Sequence, residues 1–193
     1  MPPPTHLALA REVERFRQQF EEVSQQADAL VAPLSDEQFE WLPAANAWSI
    51  AQCIEHLNTT ARLYLPQLDE AIAGAIRRGT YGEGPFSYNV FGRFFTAAME
   101  PPPRFRVASP REFQPPPARA RGEVMAAFRA YQVQFVDRLR QANGLDLARA
   151  KVRSPTYSWL RFSLGSGFAV MLAHERRHLW QARKVASNAR FPK

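Results

Sequence analysis

The sequence predicts an all-α fold, a four-helix bundle forming one domain over residues 1–193. The chain is close to the size of one ordinary domain, and its 46% hydrophobic residues are enough for one buried core. Four long segments place apolar residues at three- and four-residue spacing, and no segment shows strand alternation of convincing length. Four amphipathic helices in one domain can all bury their apolar faces when they pack as a bundle around a shared core.

The first and third helices are predicted from their apolar stripes. Apolar residues recur over 9–30, and Pro33 ends this first helix, after which Ser35 can cap one short further turn. The apolar stripe of the third helix covers residues 124–139 and stops before Gly144. Glycine adopts the left-handed conformation of a helix C-cap without a steric penalty.

The second and fourth helices begin at serine caps. Ser49 is a good N-cap for the second helix, and Gln52 lies at the position that a capping box requires. This helix is expected to continue to about Arg78, with a proline, Pro66, that can kink it. The fourth helix is predicted over about 163–187.

A long proline-rich crossover connects the second and third helices. It contains proline triplets at 101–103 and 115–117 and an aromatic stretch at 86–95 that is able to form a short helix. A connection of roughly 40 residues is long enough to return along the bundle, which favours an up-down-down-up order. The aromatic stretch is too apolar to hang in water, so it is expected to cap the core or to join a partner interface.

Charge and composition exclude several classes of protein. The net charge of +7 comes mostly from arginines spread through every segment, with acidic residues between them, so a scattered basic surface is favoured over a nucleic-acid site. The longest apolar run, 168–173, is far shorter than the roughly 20 residues that cross a bilayer. The chain has one cysteine, Cys53, so it cannot form an internal disulfide, and its N-terminus lacks the basic segment and apolar run of a signal peptide. We therefore expect a cytoplasmic protein.

The fourth helix contains the string His174-Glu175-Xaa-Xaa-His178, which is typical of zinc peptidases. The two histidines lie one turn apart on the inward face, so their rings can converge on one ion. A peptidase of this type takes its third ligand from further along the chain, but no His, Asp, Glu or Cys follows His178. The peptidase interpretation is therefore disfavoured.

His56 is the remaining candidate for a third ligand, since His6 lies near the chain end. It lies in the middle of the second helix beside Gln52 and Thr60, on a more polar strip that resembles the wall of a pocket. Three imidazoles would suit zinc, nickel or iron(II) and leave positions for water or substrate. The alternative is that His56 is an ordinary hydrogen-bonded core residue.

The combination of "WSIAQCIEHL" at the start of the second helix with "AHERRHLWQARKV" on the last resembles the DinB-like (DinB/YfiT) superfamily of metalloenzymes. The resemblance implies a four-helix bundle, often dimeric, with a buried three-histidine site that maps onto His56, His174 and His178. It implies a bound divalent ion such as nickel or zinc. Relatives include thiol S-transferases and a maleylpyruvate isomerase.

We therefore expect a divalent-metal-dependent enzyme, a thiol S-transferase or a hydrolase, acting on a small molecule and forming a homodimer. Its catalytic residues are not assigned, and a low-molecular-weight thiol is one candidate substrate. The side chains expected to support the histidines or face the substrate are Gln52, Thr60, Glu175 and Gln181. The alternative is a non-catalytic bundle that binds metal or acts as a scaffold.

Overall fold

The computed structural model describes residues 8–102, 109–116, 119–157 and 159–193. Its helices, in chain order, are α1 (Arg11–Val31), α2 (Asp36–Glu40), α3 (Ile50–Arg77), α4 (Val90–Met99), α5 (Arg121–Gln141) and α6 (Leu164–Ala186). Two short strands, β1 (Lys151–Arg153) and β2 (Arg161–Ser163), precede α6. The mainly helical prediction is confirmed.

The four long helices α1, α3, α5 and α6 form the bundle. Both α1 and α3 pack against α5 and α6, which places α1 and α3 at opposite corners. The contact between α1 and α5 buries large apolar side chains: Phe20 of α1 and Phe135 of α5 are both fully buried, and their rings stack with centroids 4.9 Å apart. The core thus fills the space between the helices, and the up-down-down-up order remains a prediction.

The start of α3 follows from local hydrogen bonding. Ser49 Oγ accepts the backbone N–H of Gln52 at 3.1 Å, and Gln52 Oε1 accepts the backbone N–H of Ser49 at 3.0 Å. This is the predicted capping box, which satisfies two backbone donors at the end of the helix. It also fixes the rotation of the first turns of α3, which contain His56.

We predict that Ser49→Ala lowers the free energy of unfolding by about 1 kcal/mol, because the backbone N–H of Gln52 loses its acceptor. Urea denaturation measures this change. The control is Ser24→Ala inside α1, which removes a hydroxyl that caps no helix, and it is expected to change stability by less than about 0.5 kcal/mol. Equal losses in the two variants would contradict the capping role.

The expectation that the chain has no strands is wrong in one place. β1 and β2 form an antiparallel ribbon in which Val152 is paired with Phe162, and both of these side chains are buried. Three residues per strand are too few for alternation to stand out in a sequence. The ribbon packs against α3 and α6 and so extends one side of the bundle.

The segment between α3 and α5 contains α4 and a 3₁₀ turn at Arg111–Phe113. α4 packs against α6, with Phe95 partly buried against the core, while Phe94 is 71% exposed. The aromatic stretch therefore both covers the core and presents apolar surface. Pro103 and Pro117, the last residues of the two triplets, lie outside the described residues, as does His6.

No described helix combines the length and the apolar composition that crossing a bilayer requires.

Candidate metal centre

Three histidines from two distant segments meet inside the bundle. His56 lies on α3, and His174 and His178 lie one turn apart on α6. His56 and His178 are only 3% and 8% exposed. One ring nitrogen from each of the three lies within 4.8 Å of the other two. The structure therefore brings together the three residues that the sequence singled out as candidate ligands.

A backbone carbonyl of the crossover orients His56. His56 Nδ1 lies 2.6 Å from the carbonyl oxygen of Phe113, so Nδ1–H donates to that oxygen and Nε2 is left with its lone pair. That Nε2 atom faces His174 Nε2 at 3.1 Å. A hydrogen bond from the nitrogen remote from the ion is the usual way in which proteins orient a ligating imidazole.

The environment keeps all three imidazoles neutral. Burial lowers the pKa of His56, against a smaller opposing effect of the Phe113 carbonyl. Burial, together with the neighbouring His56 and Arg177, lowers the pKa of His174 to about 3. Burial, together with the neighbouring His174, His56 and Arg177, holds the pKa of His178 well below its ordinary value. Neutral imidazole is the form that binds a metal ion, so no proton needs to be displaced near neutral pH.

The residues present fit a divalent metal ion. Three neutral nitrogens suit zinc, nickel or iron(II) and leave coordination positions open. His56 Nε2 and His174 Nε2 lie 3.1 Å apart, a separation that one ion bound about 2.0–2.1 Å from each nitrogen can bridge.

Trp48 forms a wall of the cluster. Its ring centroid lies 4.9 Å from that of His56 and 5.6 Å from that of His178. Trp48 directly precedes the N-cap of α3, and this proximity to the cap is the sequence signal that places it near His56. Phe113 carries no such signal, because it contacts His56 through its backbone carbonyl.

The four predicted supporting side chains make different contacts, and three of them lie one helical turn from a histidine. Gln52 is used in the capping box and lines a concavity of about 370 Å³ near the start of α3. Thr60 Oγ1 donates to the backbone carbonyl of His56 at 2.8 Å. Gln181 lies close enough to His178 to raise its pKa by hydrogen bonding, against the larger lowering by burial.

Glu175, the fourth, lies in the interior of the bundle. It is 1% exposed, and its Oε1 accepts a hydrogen bond from Gln132 Nε2 of α5 at 2.9 Å. Burial raises the pKa of Glu175 to about 8, although the bond from Gln132 and the charge of Arg176 act in the opposite direction. The glutamate of the HExxH string therefore forms a hydrogen bond with α5.

Cys53, one turn before His56, is fully buried, and burial raises the pKa of its thiol to about 12. A thiol in this environment stays protonated, which fits a small core residue.

A family model described as the DinB superfamily matches residues 19–182. The chain belongs to the DinB superfamily. This membership was predicted from the two histidine-containing segments and is confirmed. A search among curated proteins finds no match.

One solved DinB-like structure shares the fold. It is YfiT from Bacillus subtilis, described as a probable metal-dependent hydrolase with an unusual four-helix bundle topology. The two chains are 12% identical and superpose with a TM-score of 0.61, over 94% of this chain and 90% of YfiT. At this identity the similarity shows the fold alone.

Proposed function

We propose that this DinB-superfamily protein is a divalent-metal-dependent hydrolase acting on a small molecule, with His56, His174 and His178 as metal ligands. The observation that carries the proposal is the approach of one nitrogen from each histidine to within 4.8 Å of the others. Two of these histidines are separated by 118 residues in sequence, so the convergence is a product of the fold. The description of YfiT as a probable metal-dependent hydrolase agrees with it.

Each part of the site has a role in this proposal. The Phe113 carbonyl holds His56 Nε2 towards the other two rings, and Trp48 restricts solvent access from one side. A divalent ion held by the three imidazoles would make a coordinated water more acidic and so supply the nucleophile for hydrolysis near neutral pH. Gln52, one turn before His56, lines the concavity near the start of α3, which we propose as the approach for a small substrate. Zinc or nickel is the proposed ion, with iron(II) as the further option.

The same three nitrogens would also serve a thiol S-transferase, in which a low-molecular-weight thiol takes the place of water. Such a thiol must come from solution, because Cys53 is buried. The third candidate is a bundle that binds metal without catalysis.

We also propose that the protein is a cytoplasmic homodimer. Val90 and Phe94 lie one turn apart on α4 and are 80% and 71% exposed, and a patch of neighbouring exposed apolar side chains favours self-association. The location rests on the single reduced cysteine. Light scattering at several protein concentrations tests the dimer, and a monomer at all of them would exclude it.

Activity of the metal-loaded protein tests the proposed function. Wild type and His56→Ala are assayed on a panel of activated esters and amides, and on electrophiles with added low-molecular-weight thiols. We expect wild type to hydrolyse at least one of these substrates in a metal-dependent way, and His56→Ala to lose this activity. Turnover only with a thiol would assign the transferase. Bound metal without turnover on any of these substrates would support the non-catalytic alternative.

A further inference from the structure

A concavity of about 430 Å³ lies at the opposite end of α3 from the histidines, and cations dominate its lining. α3 contributes Arg77 and Arg78 at its C-terminal end, and the turn and ribbon before α6 contribute the others. The six cations are Arg77, Arg78, Arg149, Lys151, Arg153 and Arg161, and the lining contains one carboxylate, Glu70. His56 and Arg77 are 21 positions apart on one helix, or about 30 Å at 1.5 Å per residue.

In the described part of the chain, these six cations form no ion pairs. Elsewhere in the described part of the chain, arginines form ion pairs, such as Arg138 with Asp69 and Arg176 with Glu100. None of the ion pairs within the described ranges includes a cation of this concavity; Lys151 donates instead to the carbonyl of Ala148 at 3.1 Å. The sequence predicted a scattered basic surface, but the fold gathers unpaired charge in one place.

The register of the ribbon places like charges directly opposite each other. Arg153 of β1 is paired with Arg161 of β2, and both are exposed on the face opposite to buried Val152 and Phe162. Like charges at directly opposed positions of an antiparallel pair destabilise it. An anion bound between the two guanidinium groups would relieve this repulsion.

On the α3 side of the concavity, the guanidinium group of Arg78 lies close to the helix backbone. Gly74 has no side chain, and an added Cβ would lie 3.1 Å from Arg78 Nη1. The Arg78 side chain therefore folds back over Gly74. Glycine inside a helix is unfavourable relative to alanine, so the space that it leaves for Arg78 has a local stability cost.

We propose that this concavity binds a small molecule that carries two or more phosphate groups. Arginine presents a planar fork of donors that matches phosphate oxygens, and five of the six cations are arginines. The volume is that of a small-ligand pocket. A nucleic-acid backbone would need a basic stripe that continues across the surface, whereas these cations surround one concavity. The proposal is independent of the metal centre and of the proposed hydrolase activity.

Calorimetric titration with inorganic pyrophosphate in about 150 mM NaCl, close to physiological ionic strength, tests the proposal. The test variant is Arg153→Gln/Arg161→Gln, which removes two exposed cations of the concavity and keeps all three histidines. The control variant is Arg129→Gln/Arg140→Gln, which removes two exposed arginines of α5 and the same charge. We expect the first variant to bind pyrophosphate at least about tenfold more weakly than wild type, and the control to bind like wild type.

Two further measurements make the result unambiguous. Arg77→Gln/Arg149→Gln is expected to weaken binding similarly, and His56→Ala is expected to retain it. An equal loss in the α5 control, or no binding of pyrophosphate by wild type, would overturn the proposal. Binding of duplex DNA more tightly than pyrophosphate, lost on Arg153→Gln/Arg161→Gln, would replace it with a nucleic-acid surface.

Discussion

The His174→Ala variant is expected to bind zinc or nickel on the order of 100-fold more weakly than wild type, or worse. Substituting a residue that merely supports a ligand costs roughly 10–100-fold in metal affinity, and loss of a ligand costs at least as much. His174 provides one of three nitrogens that lie within 4.8 Å of one another, and two imidazoles alone hold an ion weakly. Competition with a chromophoric chelator measures the affinity.

Two controls separate loss of the ligand from loss of the fold. Arg62→Ala changes an exposed residue of α3 and is expected to bind metal like wild type. The helical circular dichroism of His174→Ala is expected to match that of wild type, since the substitution leaves the large apolar core residues in place. Unchanged metal affinity in a folded His174→Ala protein would remove His174 from the metal centre.

The Glu175→Gln variant is expected to be more stable than wild type at neutral and alkaline pH. In the unfolded chain the carboxyl group of Glu175 releases its proton near its ordinary pKa of 4.5, whereas burial raises the pKa in the folded protein to about 8. The folded state therefore holds the proton over this window, and the stability of metal-free wild type falls as the pH rises from about 4.5 to about 8. Glutamine removes this pH dependence. The free energy of unfolding of the variant should therefore exceed that of wild type by roughly 3–5 kcal/mol above pH 8.

The hydrogen bonding of Glu175 agrees with a protonated carboxyl group. Among the described residues, Glu175 Oε2 and Gln132 Oε1 are buried without a partner, and a proton on Glu175 supplies a donor that this pair lacks. Urea denaturation of chelator-treated protein at pH 5 and pH 8 measures the effect, with exposed Glu22→Gln as the control. A stability difference that is the same at both pH values would contradict it.

Glu175→Gln also separates this protein from the zinc peptidases that share its HExxH string. In those enzymes the glutamate is the general base beside the ion. Here it accepts a hydrogen bond from Gln132 of α5, so the metal-loaded variant is expected to retain both the metal affinity and the hydrolytic activity of wild type. Loss of activity with unchanged metal affinity would mean that Glu175 acts as the base, as in the peptidases.

The long helices were predictable because their signals are local. The capping box at Ser49 and Gln52 and the apolar stripes of the four long helices depend on residues within a few turns of one another. The β1–β2 ribbon was missed because each strand has only three residues, and its stability comes from packing against α3 and α6. Tertiary packing of this kind leaves little trace in a sequence window.

The site was predictable in its ligands and much less so in its surroundings. His174 and His178 share a helix face through their spacing, and His56 was selected by the polar strip beside it. The contact of Phe113 uses a backbone carbonyl, which any residue possesses, so its identity could not indicate it. The partner of Glu175 is Gln132, 43 residues earlier, and only the packing of α5 against the rest of the bundle brings them together.

The basic concavity could not be predicted either, because it depends on contacts between segments that are distant in the chain. Arg78 and Arg153 belong to segments that are far apart in the chain, so their proximity follows from the packing of β1 against α3. A sequence displays how many cations there are and how evenly they are spread. It does not show which cations form ion pairs with carboxylates in the folded protein. In this fold the cations of the concavity are among those that form none.

Anomalous diffraction from crystals of zinc-loaded protein, recorded on both sides of the zinc absorption edge, tests the metal centre most directly. The account predicts one strong peak about 2.0–2.1 Å from a ring nitrogen of each of His56, His174 and His178. A peak bound by other side chains, or none at these three rings in fully loaded crystals, would contradict it.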